Sequence, residues 1–259
     1  MKNKDYINGS LGDRMSSYEN EYQTYLDKFK WTVIRLDGRS FSKFTKHFKE
    51  PFDNLFIECM NSSVKALFDS ITNIKYGYTQ SDEMTIIMPP VNDVESELPF
   101  GGRTDKILSL TASTVTGEFI KQLLLTELFS IDDIFDKKLP QFDSRYFQVD
   151  SETEAINALI SRQNDCYRNA VSSIAQYYFS HRELLNKKVD DMIFMLESEK
   201  NVKLEDFHSH YLLGRLITKK KITYFNDKNE EYIRTKTEVE SETIRFRQMF
   251  DDVFEEVIN

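Results

Sequence analysis

Between residues 31 and 149 the apolar pattern changes period in a fixed order: strand, helix, strand, strand, helix, strand. Few folds satisfy that order. Residues 31–36 (WTVIRL) read as a strand ending at Asp37-Gly38. From 53 to 68, Leu55, Phe56, Cys59, Met60, Val64, Leu67 and Phe68 recur at helical spacing. Residues 74–78 and 84–88 are short strands flanking Thr79-Gln80-Ser81-Asp82-Glu83, which predicts a hairpin, and Pro89-Pro90 stops the second strand. Beyond a loop reaching Gly102, the residues Ile107, Leu108, Val115, Phe119, Ile120, Leu123 and Leu124 mark a second long helix. A fourth strand over 141–149 and a third helix over 153–178 follow. The expected class is α+β, in the split βαβ or ferredoxin-like arrangement (βαββαβ). The polar, Tyr-rich stretch 1–27 reads as a helical arm, so residues 1–183 form the expected catalytic unit. From residue 184 the pattern turns to charged helices and a hairpin around Asn226-Asp227-Lys228-Asn229, read as an attached C-terminal lobe, 184–259.

The arrangement has a chemical consequence. It sets the third strand antiparallel beside the first, so Asp37, at the end of one, meets Asp82, at the start of the other. Two ionised carboxylates about 4 Å apart repel by roughly 4 kcal/mol at an effective dielectric near 20. One must protonate or a cation must sit between them. Oxygen ligands at a strand edge suit Mg²⁺, which keeps waters and borrows substrate phosphates. A pair of such ions holds the attacking and leaving oxygens of a phosphoryl displacement. Gly38 leaves the adjacent backbone open for a carbonyl ligand, and Glu83 is expected to support the site. Asp-Gly and Ser-Asp-Glu are also ordinary turn sequences.

Phosphate grips are expected in three places. Gly101-Gly102 precedes the second helix, where exposed N–H groups favour anions, and Arg103 and Lys106 are three apart on it. Arg39-Ser40-Phe41-Ser42 offers backbone donors after Asp37-Gly38. Arg162, Asn164, Arg168 and Asn169 gather on one side of the third helix, where they can meet RNA. Overall charge is no guide: 34 Lys and Arg against 43 Asp and Glu give −9, which excludes blanket electrostatic binding of nucleic acid but permits a local basic track. Cys59 and Cys166 offer neither a disulfide framework nor metal-ligand spacing and read as buried thiols. With no apolar signal core at the start and no membrane-length apolar run, a soluble protein in a reducing, cytoplasmic compartment is expected.

Five stretches together resemble the tRNA-His guanylyltransferase family and its guanylyltransferase-like 3′-to-5′ polymerase relatives. They are Arg35-Leu36-Asp37-Gly38-Arg39-Ser40-Phe41-Ser42-Lys43-Phe44, Tyr78-Thr79-Gln80-Ser81-Asp82-Glu83, Gly102-Arg103-Thr104-Asp105-Lys106-Ile107-Leu108-Ser109, Phe142-Asp143-Ser144-Arg145 and Arg162-Gln163-Asn164-Asp165-Cys166-Tyr167-Arg168-Asn169. They occur in the family's order across residues 31–173. The resemblance implies a polymerase palm with flanking helices, metal ligands at Asp37, the Gly38 carbonyl and Asp82, and a nucleotide loop over 37–42 with Ser81-Asp82. It further implies triphosphate contacts from Arg103 and Lys106, ATP and GTP or another nucleoside triphosphate as substrates, tRNA as partner, Mg²⁺ as cofactor, and a homotetramer. The implied reaction adenylylates an RNA 5′-monophosphate and then displaces AMP with the 3′-hydroxyl of an incoming nucleotide.

Two departures narrow the expectation. Members that add guanosine to histidine tRNA carry His-Ile-Asn-Asn-Leu-Tyr-Asn on the third helix, where this chain has Tyr167-Arg168-Asn169-Ala170-Val171-Ser172-Ser173. That sequence looks like the branch that repairs truncated tRNA 5′ ends against a template. Glu50 stands where the family has a lysine ahead of its Pro-x-Asp step, with Lys49 beside it as the alternative phosphate contact. Template-directed 5′-end repair is therefore expected. The alternatives are single-guanosine addition to histidine tRNA, a palm-type nucleotide cyclase, or an RNA-binding protein with an inactive palm.

Overall fold

The computed structural model describes residues 10–91, 96–126, 139–225, 231–243 and 245–249. Its centre is a six-stranded sheet in the order β4-β1-β3-β2-β5-β6, with every pairing antiparallel. The strands are β1 Trp31–Gly38, β2 Tyr76–Gln80, β3 Glu83–Met88, β4 Phe142–Val149, β5 Arg215–Phe225 and β6 Glu231–Val239. The first four have the ferredoxin-like order expected from the periodicity.

Helices α1 (Leu11–Glu21) and α2 (Phe41–Phe44) flank β1 in sequence. The crossover helices α3 (Asn54–Ser70) and α4 (Thr104–Leu124) cover one face of the sheet. There Met60, Val64, Leu67, Val115 and Phe119 pack against Ile34, Leu36, Met84, Ile86 and Met88. On the opposite face α5 (Glu152–Tyr178) lays Ala155, Ile156 and Leu159 over Val33, Tyr78 and Ile87. All six residues of β3 are buried, which explains why its Met84, Ile86, Ile87 and Met88 are apolar on both faces, with only Glu83 and Thr85 polar. Close approach is built in at Gly77, where a Cβ would lie 2.7 Å from Val64 Cγ1 of α3. Cys59 and Cys166 are free, buried thiols, raised by burial to about 12 and about 11.

Two elements differ from the sequence reading in ways that matter. The hairpin is tighter, since Gln80 pairs with Glu83 and only Ser81-Asp82 turn the chain. β1 also runs on through Asp37 and Gly38. Polar residues occupy these strand ends because their side chains face the site and not the core. The C-terminal hairpin joins the palm sheet, with β5 paired to β2 from Thr218 to Arg215. The helical part of the expected lobe packs on the end of α5, where Ile174, Ala175 and Phe179 meet Leu184 and Leu196. Of the expected N-terminal arm, residues 1–9 lie outside the described residues, as does the turn expected at 226–229. Among the described residues no helix is long and apolar enough to cross a membrane.

Candidate active site

Register places the acids. Asp37 is the cross-strand partner of Glu83, so their side chains share a face, and the Gly38 N–H donates to the Asp82 carbonyl at 3.0 Å. Ser81 takes φ 43, the left-handed conformation that primed hairpin turns require at their first central residue, and its Oγ donates to Asp82 Oδ1 at 3.2 Å. Burial lifts the Asp82 carboxyl above its usual range, and the neighbouring charges of Asp37 and Glu83 push it the same way. Among the described residues Asp82 makes no ion pair, and two other acids stand beside it. Among the described residues no group of three or more His, Cys, Asp or Glu side chains is disposed to hold a metal ion. The candidate ligands are therefore two carboxylates and a carbonyl: Asp37, Asp82 and Gly38. That oxygen-only set, incomplete without water or phosphate, fits Mg²⁺.

Glu83, expected to support the metal, is occupied elsewhere. Both its oxygens accept from Arg162 of α5, Nε and Nη2 each at 2.6 Å, with the Glu83 side chain 8 % exposed. Arg162 also holds Asp165, which in turn pairs with Arg168. Arg162, expected on RNA, is thus bound to the acid row. Its guanidinium clamps the sheet end to α5, while Asn164, Arg168 and Asn169 of that expected group remain exposed on the helix. A bidentate pair across 79 positions has no local sequence signal.

The nucleotide loop divides by side. Phe41 is a core residue, 2 % exposed, with its ring against Phe44, Phe56, Phe119 and Phe142, so only its backbone can face a ligand. A Cβ on Gly38 would lie 2.8 Å from Phe41 Cε2, which makes glycine necessary there. Arg39 is exposed, tied to Gln141 through its own N–H (2.8 Å) and through Nη1 to Oε1 (3.2 Å). Ser42 and Ser81 line a cleft of about 450 Å³ together with Asn169 of α5, the size of a small-molecule site. Lys46, Lys49 and Arg215 line it too. The sequence reading had placed neither Lys46 nor Arg215 at a site.

Arg103 and Lys106 lie elsewhere. Leu26 N–H donates to the Gly102 carbonyl and Thr104 N–H to Thr24, so α4 starts beside the chain that enters β1. Asp37 is at the other end of that strand, ~20 Å away at about 3.3 Å per residue. Arg103 is paired with Asp105, Nη2 to Oδ2 at 2.6 Å. Within one chain these two cations do not reach a triphosphate seated on Asp37 and Asp82. Nearer cations emerge only from the register. Arg35 and Arg145 are cross-strand partners two positions from Asp37 on its own face, and the buried Arg35 Nε has no hydrogen-bond partner.

Comparison with known proteins bears on this geometry. The family model described as "Thg1: tRNAHis guanylyltransferase" matches residues 12–150, more than half the chain. The chain belongs to the tRNA-His guanylyltransferase (Thg1) family. The matched span of this Thg1-family chain contains Asp37, Gly38 and Asp82, and ends where α5 begins. An uncharacterized protein of Acanthamoeba polyphaga mimivirus is 31% identical over 241 residues, covering 86% of this chain and 82% of that protein. tRNA(His) guanylyltransferase 1 of Arabidopsis thaliana is 29% identical over 151 residues, 58% of this chain but only 25% of that longer protein. Among solved structures, a bacterial tRNA(His) guanylyltransferase (Thg1)-like protein in complex with ATP superposes with a TM-score of 0.80 at 29% identity, covering 96% of this chain and 99% of the other. One in complex with GTP gives 0.74 at 25% identity, with 95% and 100% covered.

Proposed function

We propose that this Thg1-family chain extends the 5′ end of tRNA in the 3′-to-5′ direction against a template, using nucleoside triphosphates and Mg²⁺. The observation that carries this reading is the meeting of Asp37 and Asp82 at one corner of the sheet, beside a cleft that Ser42, Ser81 and Asn169 line. Bound between those carboxylates and the Gly38 carbonyl, Mg²⁺ would supply charge neutralisation and alignment for an in-line displacement. The chain's own groups do the positioning. Arg35, on the face of Asp37, has an Nε without a hydrogen-bond partner to offer a phosphate, and its cross-strand neighbour Arg145 would have to share its guanidinium with Asp143. The Glu83–Arg162 clamp fixes the angle between the acid-bearing strands and α5.

In the first step a tRNA 5′-phosphate oxygen attacks the α-phosphorus of ATP, and pyrophosphate leaves. In the second, the 3′-hydroxyl of the incoming nucleotide attacks the activated 5′-phosphorus, its proton passes to solvent, and AMP leaves. Support for repair over single-guanosine addition comes from the α5 face, where Tyr167-Arg168-Asn169 replaces the histidine-led run of the guanosine-adding members. The homotetramer is part of the same proposal and rests on family resemblance, with sedimentation as its check.

The deciding experiment gives the purified protein 5′-labelled tRNAs, full-length and lacking one to several 5′ nucleotides, with each triphosphate in turn. Growth that follows the opposing 3′ strand is the expected result. A single untemplated guanosine would select the histidine-specific role, and a cyclic product without RNA extension would overturn the polymerase reading.

A further inference from the structure

Arg215 opens β5 opposite Thr79 and is buried, 3% exposed. Its Nε donates to Asn61 Oδ1 at 3.1 Å, Nη1 reaches the His210 carbonyl at only 3.5 Å, and the buried Nη2 has no partner. Among the described residues no carboxylate pairs with it. Burial draws the guanidinium's affinity for its proton downward, opposed by Cys166, Tyr78, Glu58 and Tyr211. A guanidinium nevertheless keeps its charge inside a protein. An uncompensated buried charge is among the most destabilising features a fold can carry. Arg215 also lines the 450 Å³ cleft together with Lys46, Lys49, Ser42, Ser81 and Asn169; two carboxylates line it as well, Glu50 and Asp53, the latter with both oxygens accepting from backbone N–H groups.

We infer that this cleft is a phosphate-binding subsite with Arg215 as its floor, completed by Lys46 and Lys49 and by the hydroxyl and amide groups of Ser42, Ser81 and Asn169. A phosphate satisfies what Arg215 lacks, namely a negative charge and an acceptor for a free guanidinium nitrogen, and forked donors match its oxygens. The loose 3.5 Å contact to the His210 carbonyl is the one the guanidinium gives up to turn toward the ligand. The inference rests on the reading of the cleft as part of a nucleotidyl-transfer site, but it requires no metal. Its phosphate comes either from the nucleoside triphosphate or from the RNA 5′ end.

The test is thermal unfolding of the full chain in EDTA, with and without inorganic tripolyphosphate, for the wild type, Arg215→Met and Arg215→Lys. Tripolyphosphate raises the wild-type Tm, Arg215→Lys keeps part of that shift, and Arg215→Met weakens binding by about tenfold or more, the worth of a charged hydrogen bond. Without anion, Arg215→Met is at least as stable as the wild type, because an apolar side chain replaces an unpaired charge. A lowered Tm with an undiminished tripolyphosphate shift overturns the inference and makes Arg215 structural. So does a wild-type Tm that tripolyphosphate does not move. If Arg215→Met does not fold, Lys46→Ser with Lys49→Ser reads the same shift, and an unchanged shift overturns the inference. ATP against a 5′-phosphorylated and a 5′-hydroxyl trinucleotide identifies the source. Asp37→Asn keeps the tripolyphosphate shift while losing transfer; failure of the wild type to extend tRNA, with its shift intact, removes the proposed function and leaves this subsite standing.

Discussion

Asp82 sits where burial and two neighbouring acids oppose its ionisation. An acid raised in the folded state destabilises the fold at pH values above the raised pKa, and that penalty vanishes below the ordinary value of 3.8. Asp82→Asn is therefore expected to raise the Tm at pH 7 in EDTA, with the gain shrinking to nothing as the pH approaches 4. Mg²⁺ should stabilise the wild type more than the variant. A gain that stays constant from pH 7 to 4 would refute this account. The Glu83–Arg162 pair makes the opposite prediction. Arg162→Met strands a buried carboxylate beside Asp37 and Asp82, at a cost of about 3 kcal/mol. Adding Glu83→Gln should recover much of it, as urea unfolding of the single and double variants will show. Asp37 and Asp82 were legible because acids at strand ends announce themselves by type and place. Glu83 and Arg162 were each read for a ligand when they serve one another, a fact that only register and helix placement reveal. Phe41 was quoted within a loop motif, while its apolar side chain answered to the core.

At the scale of elements, period was the dependable signal. α3, α4 and α5 fall within a few residues of their sequence bounds because each buries a stripe at 3.6-residue spacing. The strand ends were harder, since polar residues there pattern like a loop while the ladder continues. The start of α3 carries a further signal. Asp53 caps it, accepting from Leu55 N–H at 2.7 Å and Phe56 N–H at 3.2 Å, and its second oxygen accepts from Lys49 N–H at 2.9 Å. One side chain therefore joins a helix cap to the cleft wall. Asp53→Ala should cost about 1 kcal/mol in chemical denaturation. It should also raise KM for the nucleotide more than it lowers kcat, because Lys49 loses its backbone anchor. A change in kcat alone would detach the cap from the cleft.

For the whole molecule, the sheet runs across the boundary that the sequence reading set at residue 184. Residue 184 marks a real change in composition, but Leu216 and Ile217 beyond it are buried in the palm, and β5 satisfies the edge of β2. A change in charge density says nothing of which strand edge a later hairpin will cover. Ending the chain at Leu213 should therefore leave the outer edge of β2 unpaired and remove the core residues Leu216, Ile217 and Phe246. Such a truncation is expected to aggregate or to lose its cooperative thermal transition, and a soluble fragment with a sharp transition would count against the shared sheet. The same scale decides Arg103 and Lys106. Sequence places them at a helix start, and topology carries that start to the end of the sheet remote from the acids.

The turn between β2 and β3 holds just Ser81 and Asp82, and this locks its length. A single inserted residue would slip β3 by one position, turn every side chain of a wholly enclosed strand to the reverse side, and swing Glu83 away from Arg162. Growth and loss of residues over evolutionary time must then be absorbed by the connections around the sheet. This corner can change its letters but not its count.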